Sequence, residues 1–391
     1  MLIHGPRQSG KTTLAQIVGA RAGYAYVTFD DEVSREVAAA DPVGFVADLP
    51  ERVILDEVQH VPRLFAALKA TIDRRRVPGR FMLTGSTNVL LLPRLADSLA
   101  GRMAIVRLHP LAQCELARRT PDFLDRLFEG GFAFESRERL AGELPERIAA
   151  GGYPAPLVLP AGRRRARWYE DYLETIAQRD VRELARISSL DALPRLLALA
   201  ASQTARLLNV AELASPFQLS RPTIRDYLTL LARVFLVEEL PPWHSNRLSR
   251  LVKTPKLHLG DTGLACALLG ADASTLKADR ALLGQLLETF AFQELRRQAS
   301  SFDDPLSFFH FRDRDGFEVD IVIERGARAV AGVEVKASAT VTAADFRGLR
   351  KLKDAAGARF AGGVVLYDGE TAVRFGEGMY AVPIRRLWEG Q

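Results

Sequence analysis

Apolar and polar positions alternate in two different rhythms along this chain. Over residues 1–110, short apolar runs (Leu2-Ile3-His4, Tyr24-Ala25-Tyr26-Val27-Thr28-Phe29, Arg52-Val53-Ile54-Leu55-Asp56 and Arg80-Phe81-Met82-Leu83-Thr84) are separated by stretches of helical period. One such stretch follows residue 13 and another runs through 64–72. Continuous apolar strands joined by helices predict a parallel α/β sheet covered on both faces. From about 111 to 233 the spacing is helical and β-branched runs are scarce. From about 285 the rhythm changes again: a helix over 286–297, strands at 307–312, 318–324, 329–336 and 363–367, and a helix near 343–355. This divides the chain into an α/β core over 1–110, a helical lid or linker over 111–195, a small helical module with a wing over 196–262 and a second α/β domain over 263–391.

At 391 residues the chain exceeds one ordinary core, and 48% hydrophobic with 26% charged residues is the composition of a folded protein. Cys114 and Cys266 are its two cysteines, too few for a disulfide framework or a Cys-rich zinc site. The six histidines are scattered singly and suggest no metal cluster. No run reaches the ~18 apolar residues that a membrane helix needs, and Met1-Leu2-Ile3 passes at once into a glycine loop, so the expectation is a cytoplasmic protein without a membrane partner. The net charge is +5, and residues 141–260 hold 17 Arg and Lys against 12 Asp and Glu. The densest run, Arg163-Arg164-Arg165-Ala166-Arg167, would attract nucleic-acid phosphates or serve only as a solvated helix start. Arg outnumbers Lys 45 to 8, which makes each lysine worth inspection, and Lys11 and Lys336 both fall in motifs with chemical meaning.

Gly5-Pro6-Arg7-Gln8-Ser9-Gly10-Lys11-Thr12 fits G-x-x-x-x-G-K-[ST] between a short strand and a helix. Backbone amides from Gly5 through Thr13 would curl around a β-phosphate at the helix N-terminus, Lys11 would reach the β/γ-oxygens, and the Thr12 hydroxyl would ligate Mg²⁺. Val53-Ile54-Leu55-Asp56-Glu57 is an apolar strand ending in two carboxylates: Asp56 to hold Mg²⁺ through water, Glu57 to polarise the attacking water. A third strand ends at Gly85-Ser86, where Ser86 or Asn88 would sense the γ-phosphate. Arg102 is the leading candidate to stabilise transition-state charge, ahead of Arg94; Arg179 beside Asp180 suits that role or a helix salt bridge. No guanine-reading N-K-x-D motif follows, which favours ATP over GTP.

These motifs, with Leu55-Asp56-Glu57-Val58-Gln59, Leu83-Thr84-Gly85-Ser86-Thr87-Asn88, Gly151-Gly152-Tyr153-Pro154, Gln178-Arg179-Asp180-Val181 and Lys256-Leu257-His258-Leu259-Gly260-Asp261-Thr262-Gly263-Leu264, resemble the AAA-type ATPases that carry a C-terminal domain of unknown function, DUF4143. The resemblance covers nearly the whole chain, with the DUF4143-like part at approximately 175–340. It implies an ASCE-class P-loop NTPase sheet and binding of ATP. Similar proteins have a few tens of residues before the phosphate loop; here it begins at residue 5, and a mis-assigned start would remove a helix, part of the first strand and an adenine contact.

Farther along, 211–214 and 221–231 read as helix–turn–helix, with Ser220 as N-cap, Pro222 in the first turn and Ile224, Leu228 and Leu231 on the buried face. Residues 234–240 and 256–259 would form a wing. In a DNA-binding version Arg221, Thr223 and Arg225 meet the groove or phosphates; otherwise the winged-helix-like module is a lid or partner surface. In the last module, Asp320 and Val333-Glu334-Val335-Lys336 have the form D-x(13)-E-x-K on adjacent strands, with Glu334 and Lys336 on one face. Asp320 and Glu334 would share a divalent metal, Glu288 would add a carboxylate, and Lys336 would activate water or stabilise phosphorane-like charge. This resembles the PD-(D/E)xK nucleases, a restriction-endonuclease-like α/β fold. The reading is an ATP-hydrolysing switch or motor, Mg²⁺-dependent, joined to a nucleic-acid-directed rear half. The rival is a nucleotide-gated regulator whose rear domains bind DNA or protein without cutting. ATP is the partner the motifs require; DNA, a protein and a second copy of the chain are candidates.

Overall fold

The computed structural model describes residues 1–86, 101, 103–181, 192–217, 219–246 and 254–390. These divide into two compact units: Met1–Pro110 with Arg179–Ala185 and Leu228–Leu236, and Leu111–Gln178 with Arg186–Tyr227 and Val237–Gln391. The helical, winged and C-terminal stretches distinguished in the sequence thus fall mainly in the second unit.

In the first unit β1 (Leu2–His4), β2 (Ala25–Thr28), β3 (Val53–Asp56), β4 (Phe81–Gly85) and β5 (Ile105–Arg107) form a parallel sheet in the order β2-β3-β4-β1-β5. Val53, Ile54, Leu55, Phe81, Met82 and Leu83 are all buried, as apolar strands covered on both faces require. Helix α1 (Lys11–Arg21) leaves the loop after β1, α2 (Glu32–Ala40) and α3 (Pro42–Asp48) follow β2, and α4 (Leu64–Arg74) precedes β4. Gly19 brings α1 against β3, since a Cβ there would lie 2.5 Å from Ile54 Cδ1. Gly5 is needed for a similar reason: its Cβ would lie 2.0 Å from the Leu108 carbonyl oxygen.

The second unit is built on a seven-stranded mixed sheet in the order β10-β11-β12-β13-β15-β14-β6, of β6 (Glu135–Ser136), β10 (Leu306–Arg312), β11 (Glu318–Arg325), β12 (Ala329–Lys336), β13 (Phe360–Tyr367), β14 (Thr371–Gly376) and β15 (Met379–Pro383). The helix Arg347–Ala356 lays Leu349 and Leu352 over Gly332. The long helix Arg280–Ala299 starts six residues before the apolar period does, because the Asp279 side chain accepts from Leu282 N–H and caps it. A three-stranded sheet in the order β7 (Arg206–Leu207), β9 (Lys256–Leu259) and β8 (Val237–Leu240) is interleaved with the helices Ala192–Ser202, which precedes β7, and Val210–Ala214 and Arg221–Arg233, which lie between β7 and β8. It joins the large sheet through Pro241–Trp243: Trp243 N–H donates to His310 O at 2.6 Å, His310 N–H to Pro241 O at 2.9 Å, and Trp243 Nε1–H to Glu324 at 2.9 Å. No helix among the described residues is long and apolar enough to cross a membrane.

One polar knot of this unit is buried. Arg297 donates to Asp261 at 3.1 Å, to Glu294 at 2.9 Å and to Leu111 O at 3.0 Å. Asp261 also accepts from the backbone amides of Gly152, Gly263 and Leu264, and Glu294 from that of Gln113. Gly152 has no room for a side chain, which would sit 2.8 Å from the Arg297 guanidinium. The Gly151-Gly152 and Gly260-Asp261-Thr262-Gly263 motifs are therefore two sides of one charge network.

Three histidines stay buried and neutral. Burial first, and then neighbouring cations, push His4 and His310 down to about 4 and His258 to about 3. Their folded values lie below the unfolded value of about 6.5. Protonation therefore favours the unfolded chain: the stability they contribute is complete above about pH 6.5 and is lost as pH falls through the folded values. Unfolding free energies from urea titrations should fall between pH 7 and 5, by up to about 1.4 kcal/mol per pH unit for each histidine; values flat over that range would contradict the burial assignment.

Candidate functional site

The site starts at the end of β1. Gly10 takes φ +95°, open to glycine at little cost, and turns the loop into α1. The helix begins with no side-chain cap and no acidic residue in its first turn, so no side chain of its own offsets its positive end. Ser9 is buried with an unpartnered Oγ. Lys11 is 4% exposed and its ammonium donates to Pro6 O at 2.8 Å, folded over the loop that it belongs to. Arg7, Gln8 and Thr13 complete the stretch, Gln8 with φ +61°.

Strand β3 carries the carboxylates to the same edge. Thr12 Oγ1 donates to Asp56 Oδ1 at 2.9 Å, bringing together the two side chains expected to share Mg²⁺. Two residues that the sequence reading passed over also hold Asp56. The Tyr26 hydroxyl donates to its other oxygen at 2.8 Å, and the Thr84 hydroxyl bonds Oδ1. Burial, then the Asp56 carboxylate, pushes the Tyr26 phenol up to about 12, so it remains a donor. Both sit in strands recognised from sequence, but only the parallel pairing of β2 and β4 with β3 brings them to Asp56.

Glu57 adopts φ +55°, a left-handed conformation that costs a non-glycine residue on the order of 1 kcal/mol or more. Its N–H donates to Thr84 Oγ1 at 3.0 Å, and its carboxylate accepts from Ser86 N–H at 3.3 Å and from the Gln59 amide. Gln59 also donates to Ser86 Oγ at 2.9 Å. Burial raises the Glu57 carboxyl, but Lys11, Gln59, Ser86 and Arg7 outweigh it and hold it ionised below its ordinary value. Lys11, Thr12, Asp56, Glu57 and Ser86 are thus brought together at one edge of the parallel sheet. Arg102, Asn88 and Arg94 lie outside the described residues, as do the side chains of Arg179 and Asp180.

The second cluster lies on the C-terminal sheet. Glu288, Asp320, Glu334 and Lys336 come together from the helix Arg280–Ala299 and from β11 and β12, and Lys336 donates to Glu334 at 2.8 Å. A fifth residue changes its meaning. Lys256 on β9, 6% exposed in its side chain, donates to Glu288 at 2.7 Å and Asp320 at 3.2 Å. The Val335 N–H takes the other Asp320 oxygen at 2.9 Å, and Glu334 Oε2 is left buried without a partner. Burial, then Asp320, raises the Glu334 carboxyl to about 8 and Glu288 well above its usual value. Among the described residues no group of three His, Cys, Asp or Glu is arranged to hold a metal. An ammonium stands where the nuclease resemblance expects a divalent cation at Asp320, Glu334 and Glu288. The signal in the sequence was the scarcity of lysine, of which Lys256 is one of eight.

In the helical stretch, Ser220 accepts from Thr223 N–H at 3.2 Å and so caps Arg221–Arg233, while Ile224, Leu228 and Leu231 are buried. Arg221 is exposed; Arg225 is exposed but paired with Glu239 of β8 at 3.2 Å.

Family profiles match an AAA domain over residues 1–117, a domain of unknown function (DUF8612) over 141–275 and another (DUF4143) over 283–387. The DUF4143 match thus spans 283–387, where the resemblance implied approximately 175–340, and DUF8612 occupies 141–275. An uncharacterized protein of Mycobacterium tuberculosis is 29% identical over 389 residues, 99% of this chain and 80% of its own, and one of Mycobacterium bovis matches equally. Among solved structures, the RuvB Holliday junction branch migration motor of Thermotoga maritima covers 61% of this chain and 81% of its own at 18% identity, with a TM-score of 0.28, too loose to carry an argument. Residues 1–117 form an AAA-type P-loop ATPase-like domain on a parallel five-stranded sheet.

Proposed function

We propose that the first unit binds ATP with Mg²⁺ and hydrolyses it to ADP and phosphate. The observation that carries this is the meeting of Thr12 and Asp56 at 2.9 Å beside a buried Lys11, with Glu57 as the next residue after Asp56. The donor set fits a hard cation: a hydroxyl and a carboxylate, with no thiol or imidazole among them. Bound magnesium supplies charge neutralisation and Lewis-acid polarisation of the phosphoryl oxygens. The amides of Gly5, Arg7, Gln8, Ser9, Gly10, Lys11, Thr12 and Thr13 cradle the phosphates, with Pro6 shaping the turn, and Ser9 Oγ gains the partner it lacks. Lys11 leaves the Pro6 carbonyl for the β/γ-oxygens. Glu57, ionised, orients the attacking water and accepts its proton. Ser86, now bonded to Gln59, reads the γ-phosphate, and Arg102 offsets the charge that develops in transfer.

For the rear half, the order helix, strand, two helices and hairpin over 192–259 supports a winged-helix reading. Arg221 and Thr223 are its candidate phosphate contacts; Arg225, engaged by Glu239, must first exchange partners. ATP turnover would then be coupled to nucleic-acid binding, the alternative being a nucleotide-gated regulator that binds DNA or protein without processing it. Calorimetry tests the core of the reading. MgATP should bind the wild-type chain and lose at least about tenfold in affinity in Lys11→Ala. Absence of binding to the wild type would overturn it. Anisotropy of labelled DNA at low salt, with and without ATP, tests the rear half: retention reduced by Arg221→Ala supports it, and no retention in either condition rejects it.

A further inference from the structure

The nuclease resemblance implies a divalent cation held by Asp320, Glu334 and Glu288, and the side chains of this chain do not fit one. Magnesium takes oxygens at about 2.0–2.1 Å in octahedral array and rarely sheds all its water. Here the space between Glu288 and Asp320 holds the Lys256 ammonium, 2.7 and 3.2 Å from their oxygens and nearly out of contact with solvent. The remaining Asp320 oxygen is taken by the Val335 amide, and Lys336 takes one oxygen of Glu334. A divalent ion would have to enter beside two resident cations and expel one of them from a buried position.

We infer that Lys256 is the resident cation of this cluster: its ammonium replaces the divalent metal, closes the site to metal, and clasps the β8–β9 hairpin to the C-terminal sheet. The place of Lys256 favours this. It is the first residue of β9, opposite Leu240 of β8, and β8 runs directly into the Pro241–Trp243 segment bonded to β10. The ammonium therefore crosses from the small sheet to the large one at a second point, and Asp320 and Glu288 serve as its acceptors. The phosphodiester-cutting role that the D-x(13)-E-x-K spacing suggests is absent from the chain in this arrangement, because the cation that role needs is a lysine.

The test is Mn²⁺ binding, read from the electron paramagnetic resonance of free Mn²⁺, on the full chain without nucleotide. Wild type and Asp320→Asn should bind Mn²⁺ equally, since no Asp320-dependent site exists. Lys256→Met keeps the stem and removes the charge; it should gain at least about tenfold in Mn²⁺ affinity, and Asp320→Asn added to it should abolish the gain. A wild-type Mn²⁺ site lost in Asp320→Asn would overturn the inference, and so would a folded Lys256→Met that gains nothing. If Lys256→Met fails to fold, the comparison of wild type with Asp320→Asn decides alone. An equal signal upholds the closed site and a difference rejects it.

Discussion

Glu57→Gln should lower ATP turnover by about 10²–10⁴-fold while MgATP still binds, the range over which a positioned general base contributes. The amide keeps the size of the side chain and its acceptor oxygen for Ser86 N–H and Gln59. What it loses is the negative charge that holds the attacking water and takes its proton. Lys11→Ala should instead lose binding, because that ammonium meets the phosphates in ground state and transition state alike. The split between the two variants, measured by phosphate release and by nucleotide titration, distinguishes a hydrolytic site from one that only holds nucleotide. Turnover unchanged in Glu57→Gln would end the assignment of that residue.

Arg297→Met should destabilise the second unit by about 3–5 kcal/mol, the usual consequence of removing one partner from a buried ion network. Arg297 is 7% exposed and Asp261 and Glu294 are fully buried, so the change leaves two carboxylates with their amide donors but without their cation. Adding Glu294→Gln should recover part of the loss, since it removes one uncompensated charge while keeping an acceptor for Gln113 N–H. Urea unfolding of both variants reads this directly. A loss below about 1 kcal/mol would mean that water reaches the network, contrary to its burial.

The first site was legible because its parts are local. A glycine loop, a lysine and a hydroxyl lie within eight consecutive residues, and an apolar strand ending in Asp56-Glu57 needs no tertiary knowledge to identify. Thr84 and Tyr26 were not legible as partners of Asp56, although their strands were. Nothing in an apolar run says which strand lies beside it. Likewise β14 and β15 escaped the reading: Thr371–Gly376 is broken by Arg374 and ends in glycine, and Met379–Pro383 is short and closes on proline. Both are stabilised by pairing with the sheet beside them more than by their own pattern.

The second cluster shows the division most sharply. Sequence alone determined that Glu334 and Lys336 share a strand face, because alternation in a strand is a property of the backbone. It also determined the glycine loop that runs into a helix and the lysine and hydroxyl at the start of that helix, all set within a few residues. Tertiary structure alone decided that β4 lies between β1 and β3, and that Lys256, 64 positions from Asp320, supplies the charge between the carboxylates. The reason is the range of the forces. Backbone conformation is settled by neighbours in the chain, whereas desolvated charges must find opposite charge wherever the packing of apolar faces happens to bring it.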